Sequence, residues 1–225
     1  MARIPTLDTT PRRQPREAIE TVSGMRFQNS PETDFTQRAE RDKITTAINT
    51  LRQRAPRHLP LYIQGQPRLR EGQDGFDPSR PGVVPYTLSL ANALDVSDAL
   101  NAATIAQTTW GSTEVHERLS VVRAAAHALD THRAELIAAL LMDGGKAVRD
   151  ADAEVSEAID FATYYAASYE ALCADDTIID RPRGVTVVTP PWNFPLAIPL
   201  GGVFAALVTG NAVILKPARE TAYIA

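Results

Sequence analysis

Residues 184–216 read Gly184-Val-Thr-Val-Val-Thr-Pro-Pro-Trp-Asn-Phe-Pro-Leu-Ala-Ile-Pro-Leu-Gly-Gly-Val-Phe-Ala-Ala-Leu-Val-Thr-Gly-Asn-Ala-Val-Ile-Leu-Lys216, and the order of the parts decides the fold. The β-branched run Gly184 to Thr189 predicts a strand. Pro190-Pro-Trp-Asn-Phe-Pro195 cannot extend it, because proline has no ladder N–H and a fixed φ. An apolar helix is expected from about Leu196 to Val208, closed by Gly210-Asn211. Ala212 to Lys216 is then the next strand. Strand, helix and strand at this spacing make one right-handed βαβ unit, and so a parallel sheet. Ligands of such sheets bind beyond the carboxyl ends of the strands. The three-proline loop and Lys216 both lie at such ends, so two separate segments converge on one crevice.

No charged residue occurs between Gly184 and Leu215. A bilayer span needs ~20 unbroken apolar residues, but Pro190, Pro191, Pro195, Pro199, Gly201-Gly202 and Gly210 interrupt this run. A buried strand covered on both faces explains it better. The full chain has 225 residues, with 44% hydrophobic and 22% charged positions, which is ordinary globular usage. Its net charge of −4 gives no reason to expect nucleic acid or an anionic membrane as partner. One cysteine excludes an internal disulfide framework, and four scattered histidines offer no metal-ligand spacing. With no apolar run at the amino terminus, these features predict a cytoplasmic protein without a metal centre.

Charge divides the chain near Leu59, the earlier part being net basic and the later part net acidic. Pro5, Pro11, Pro15 and Arg12, Arg13 and Arg16 predict an irregular tail. Asp34 is expected to cap a helix running to about Arg54, so residues 1–58 form a tail and helical arm and 59–225 a second unit. In that unit the pattern predicts strands at Leu59–Ile63 and Val83–Leu90, with a turn at Gln64–Pro67 between them. Helices follow from Asp95 (Val96, Ala99, Leu100, Ala103 and Trp110 inward), over Glu114–Leu129, and over Arg133–Met142. Gly144-Gly145 ends the third. A long helix, Val148–Leu172, carries the stripe Val155, Ile159, Ala162, Ala166 and Tyr169. Asp150, Asp152, Glu154, Glu157 and Asp160 crowd its first half, where the helix dipole and solvent favour carboxylates. Thr177–Asp180 is expected as a short strand.

The side-chain amide of Asn193, held in a stiff loop, has two donors and no titratable proton. It suits an oxyanion hole, or equally a helix cap. Lys216 at a strand tip could hold a ribose or phosphate, or simply be a solvated lysine. The chain has neither a Gly-x-Gly-x-x-Gly nor a Gly-x-x-x-x-Gly-Lys-Ser/Thr phosphate loop.

Thr189-Pro-Pro-Trp-Asn-Phe-Pro-Leu-Ala-Ile-Pro199, followed by Gly210-Asn-Ala-Val-Ile-Leu-Lys-Pro-Ala218, resembles the nucleotide-binding region of the aldehyde dehydrogenase superfamily. Trp110, His116-Glu-Arg118, Arg133-Ala-Glu-Leu136 and Ala153–Tyr165 resemble its leading helices. Arg26–Phe35 and Asp77-Pro-Ser-Arg-Pro-Gly82 resemble the branch that oxidises L-glutamate γ-semialdehyde, which in many bacteria is fused behind a proline dehydrogenase. The resemblance implies a truncated Rossmann-like α/β domain with a parallel sheet flanked by helices. It makes Asn193 the oxyanion donor, and it places Thr189, Pro190, Pro191 and Trp192 against the adenosine half of NAD and Lys216 on its ribose. Where many NAD-preferring relatives carry a ribose-binding glutamate, this chain has Arg219 followed by Glu220, which leaves NAD or NADP open and favours NAD.

In the family the nucleophilic cysteine and general-base glutamate lie well beyond the lysine strand. Cys173 ends an amphipathic helix, where a buried and inert thiol is expected, and Gly144-Gly-Lys146 precedes the proline loop and is not the family's glutamate motif. The expectation is therefore the first part of an enzyme, inactive alone and homo-oligomeric when whole. It would oxidise an aldehyde such as the γ-semialdehyde. The alternatives are another substrate, such as succinate semialdehyde, or a non-catalytic nucleotide-binding remnant.

Overall fold

The computed structural model describes residues 19–20, 26–175 and 177–225. The expected irregular tail, with Pro5, Pro11, Pro15 and Arg12, Arg13 and Arg16, lies outside them. In chain order the described elements are β1 (Ile19–Glu20), β2 (Arg26–Phe27), α1 (Arg38–Arg52), β3 (Arg57–Leu59), β4 (Leu61–Ile63), β5 (Gln66–Arg68), β6 (Gly72–Asp74) and β7 (Tyr86–Ser89). Then come α2 (Ala93–Trp110), α3 (Val115–Thr131), α4 (Arg133–Gly144), α5 (Val148–Cys173), β8 (Thr186–Val188), α6 (Ala197–Val208), β9 (Val213–Leu215) and a 3-10 turn, Arg219–Thr221.

The core lies among the helices. Val155, Ile159, Ala162, Ala166 and Tyr169 of α5 are all buried, as its periodicity predicts, and pack with Leu119, Val122 and Ala126 of α3, Ile137 and Leu140 of α4, and Phe204 and Val208 of α6. Alanine at positions 151, 158, 162 and 166 of α5 and at 126 of α3 lets the helix axes approach closely. Ile44 of α1 joins the same cluster, so the helical arm rests on α4.

β8 and β9 pair in parallel, with Thr186 opposite Val213 and Val188 opposite Leu215, and α6 connects them. The expected βαβ unit is present. Elsewhere the sheets are small and mixed. β7 is parallel to β3 and antiparallel to β6, and β4–β5 is a separate hairpin.

Several sequence expectations need correction. The single strand Leu59–Ile63 is two strands in different sheets, divided at Pro60, which has no N–H for a ladder. The turn is shorter than expected: Gln64 and Gly65, at φ 55° and 70°, close a two-residue hairpin, and Gln66-Pro67 already belong to β5. The second strand shrinks to Tyr86–Ser89, and Thr177–Asp180 forms no strand. Asp34 does not cap α1. Its carboxylate accepts hydrogen bonds from the Thr36 backbone and hydroxyl, and α1 starts at Arg38 without a side-chain cap. On α2 the supposed inner residues Val96 and Leu100 are 61% and 50% exposed. Ala103 and Trp110 do face inward, joined by Asp95 and Gln107, with Asp95 paired to Arg70. Asp95 is sealed from solvent, completes a capping box with Asn92 and receives two hydrogen bonds from Arg70.

Candidate functional site

The parallel register sets Thr189 and Lys216 side by side at the carboxyl ends of β8 and β9, and the Lys216 N–H donates to the Val188 carbonyl at 2.9 Å. The proline loop leaves from that edge. Pro190 and Pro195 are buried, and the Trp192 carbonyl accepts from the Thr221 hydroxyl at 3.2 Å. The loop is thereby tied to the 3-10 turn that carries Arg219 and Glu220. Thr189, Pro191, Trp192, Asn193, Lys216, Arg219 and Glu220 are all exposed. Lys216 Nζ donates to the neighbouring Pro217 carbonyl at 3.0 Å, which leaves two ammonium protons for a ligand. Arg219 and Glu220 form an exposed ion pair at 3.5 Å.

The competing helix-cap reading of Asn193 is resolved by its neighbours. The α6 N-cap position is Leu196, and no side chain of the loop caps the helix. The first amides are satisfied from another helix: Glu154 Oε1 of α5 accepts from Leu196 N at 2.9 Å and Ala197 N at 3.1 Å. A carboxylate at a helix amino end also meets the positive pole of the dipole. Asn193 is exposed and makes no capping hydrogen bond to α6.

The carboxylates of α5 were expected in solvent. Asp152 and Glu154 are instead 0% and 1% exposed. Asp152 accepts from the Thr33 backbone and hydroxyl and from Arg133, and Asp160 from Asn29 and the Ser30 backbone. The segment 29–33 is thus strapped across α5 by carboxylates on one face, while Glu154 faces α6. Among the described residues no cluster of carboxylate, histidine and cysteine side chains could hold a metal ion. Cys173, expected to be buried, is exposed at the last residue of α5.

A second network closes on Asp143 at the end of α4. It accepts from Tyr86 Oη at 2.6 Å and from the amides of Tyr223 and Ile224 at 2.9 and 3.1 Å. Burial raises the carboxyl to about 6 against the pull of these donors, and burial likewise raises the Tyr86 phenol, with the Asp143 charge adding to it. The network fixes the segment that follows the 3-10 turn. A cleft of about 150 Å³ lined by Arg52, Arg54, Arg57, Arg80, Met142 and Tyr223 among others shares none of the candidate residues.

Residues 66–225 match the model of the aldehyde dehydrogenase family. The chain belongs to this family. A 1-pyrroline-5-carboxylate dehydrogenase of Bacillus pumilus is 35% identical over 210 residues, and one of Halalkalibacterium halodurans 34%; each alignment covers 88% of this chain and 41% of the relative. The chain therefore spans about 41% of the length of the curated relatives it matches. Among solved structures, proline utilization A from Bdellovibrio bacteriovorus superposes with a TM-score of 0.84 at 31% identity, covering 88% of this chain and 22% of that one. A 1-pyrroline-5-carboxylate dehydrogenase from Thermus, solved with bound NAD, gives 0.83 at 32% identity, covering 88% and 41%. This member thus has the aldehyde dehydrogenase fold, and no helix among its described residues is long and apolar enough to cross a membrane.

Proposed function

We propose that this family member supplies the cofactor-binding part of an NAD-dependent dehydrogenase that oxidises L-glutamate γ-semialdehyde to L-glutamate. The observation that carries it is the joint presentation of Asn193 and Lys216 from adjacent strand ends, with Asn193 free of the helix-cap role. The likeness to 1-pyrroline-5-carboxylate dehydrogenases supports the substrate, and the likeness to proline utilization A supports a fused proline-oxidising activity in the whole protein; a homo-oligomeric assembly is part of the same reading. In this reading residues 59–225 form the cofactor unit and 1–58 its tail and arm.

The exposed groups fit a dinucleotide. Lys216 offers its two remaining protons to ribose hydroxyls, and Thr189, Pro191 and Trp192 present a stiff surface whose order costs little entropy on binding. NAD, when bound, supplies the hydride acceptor. Asn193 donates its amide N–H to the aldehyde oxygen as negative charge grows there, a fixed dipole that needs no proton transfer. Arg219, paired with Glu220, tolerates a 2′-phosphate better than a lone carboxylate does, and Glu220 restores the preference for NAD. The nucleophile belongs to the whole enzyme outside these residues, and Cys173 on α5 is not that group.

In the whole enzyme, Asn193→Ala lowers turnover by ~10²–10³-fold with NAD affinity unchanged, the usual loss for one oxyanion donor. Steady-state assay on γ-semialdehyde with a panel of other aldehydes tests both residue and substrate; a near-normal rate in the variant refutes the assignment of Asn193.

A further inference from the structure

Gly144-Gly-Lys146 is the motif that the sequence leaves without a task, and Lys146 lies where the proposed oxyanion loop begins its helix. Gly145, at φ 63°, ends α4 in a left-handed cap and turns the chain so that Lys146 points inward, its side chain 13% exposed. The ammonium lies 2.5 Å from Glu154 Oε2 and 3.9 Å from the centroid of the Phe194 ring. The other oxygen of Glu154, itself 0% exposed in its side chain, holds the amides of Leu196 and Ala197. Asn193 precedes Phe194 directly. One buried carboxylate and one ammonium thus grip the residues on the carboxyl side of Asn193 by a cation–π contact and two backbone hydrogen bonds.

We infer that Lys146 and Glu154 are positioning residues that fix the Pro190–Pro195 loop so that the Asn193 amide stands preset. Neither touches the reacting atoms. The pair is suited to this because a flexible loop would dissipate the benefit of a fixed dipole, and a misplacement of about 1 Å can cost ~10²-fold in rate. Trp192 and Phe194 flank Asn193, and both have a tether: the Thr221 hydroxyl on the Trp192 carbonyl and Lys146 on the Phe194 ring. Glu157 also lies within electrostatic reach of the ammonium, which partly offsets the raising of its carboxyl by burial and the Glu154 charge.

The inference rests on the proposed function for its catalytic meaning, and the test separates the two. In a Trp110→Phe background Trp192 is the sole indole, and acrylamide quenching reads loop mobility without cofactor or substrate. Lys146→Met is expected to raise the quenching constant about twofold, while Lys146→Arg, which keeps the charge and the ring contact, stays near the parent. In the whole enzyme Lys146→Met is expected to lower kcat about tenfold with both KM values within twofold, and Lys146→Arg to recover most of it. Unchanged quenching in Lys146→Met overturns the inference, as does a loosened loop with unaltered kcat, or a loss confined to KM. If the parent enzyme turns over no aldehyde, the proposed function fails, and Trp192 quenching still decides the loop's restraint. Should Trp110→Phe fail to fold, 5-fluorotryptophan in the unaltered chain resolves both indoles by fluorine NMR, with the same outcomes read from the Trp192 line.

Discussion

At the scale of single residues, buried carboxylates hold the molecule together. Asp143 does so at a pH-dependent cost, because burial lifts its carboxyl from the ordinary 3.8 to about 6 and so disfavours the ionised form in the fold. A group raised on folding stabilises the fold fully below its unfolded pKa, and that stabilisation is lost as pH climbs through the folded one. Stability should therefore fall by about 2–3 kcal/mol between pH 4 and 6 from this group, at roughly 1.4 kcal/mol per pKa unit. Asp143→Asn keeps an oxygen for the Tyr223 and Ile224 amides and offers its NH2 to the Tyr86 oxygen, so the parent-minus-variant difference in urea unfolding should carry this slope. A difference that is flat over that interval refutes it. Gly75 belongs to the same network. A β-carbon there would stand 2.3 Å from Cζ of the buried Tyr86 ring, so Gly75→Ala must displace the ring. A loss of about 3 kcal/mol is expected from such overpacking, read as a lowered urea midpoint.

At the scale of elements, α6 and β8 meet at a contact that tolerates no added atom. A β-carbon on Gly202 would lie 2.9 Å from Cγ1 of Val188. Alanine gains about 1 kcal/mol of helix propensity there, but overpacking against a β-branched strand residue costs ~1–3 kcal/mol. Gly202→Ala is thus expected to destabilise by about 1 kcal/mol, with Val188→Ala in the same chain relieving it; two additive effects in the double-mutant cycle rule this out. Helices with a strong internal period were legible in the sequence: α3, α4, α5 and α6 fall within a few residues of expectation, since tertiary packing there follows the apolar stripe. What was not legible depends on partners distant in the chain. The rotation of α2 is set by Arg70 on Asp95, and burial of Asp152 and Glu154 by donors 119 and 42 residues away, which no local pattern encodes. Asn193, Lys216 and the loop were readable as a group because one βαβ unit carries them all. Lys146 was not, because its contact crosses from the end of α4 to the loop.

For the whole molecule, the parallel pair of β8 and β9 is the only sheet on which the candidate site stands among the described residues, and β9 pairs along one side. Its apolar residues are half-buried, partly by α2 and α6. An open strand edge of this kind invites pairing between copies. The 225-residue polypeptide, prepared as such, is expected to sediment as larger species at raised concentration, and Ile214→Lys to shift it toward its 24.5 kDa mass. Concentration-independent sedimentation at that mass in the parent argues against an available edge. The cap that α5 lends to α6 has a temporal side. Glu154 is synthesised 42 residues before Leu196. During vectorial synthesis the capping carboxylate therefore leaves the ribosome before the helix start it caps.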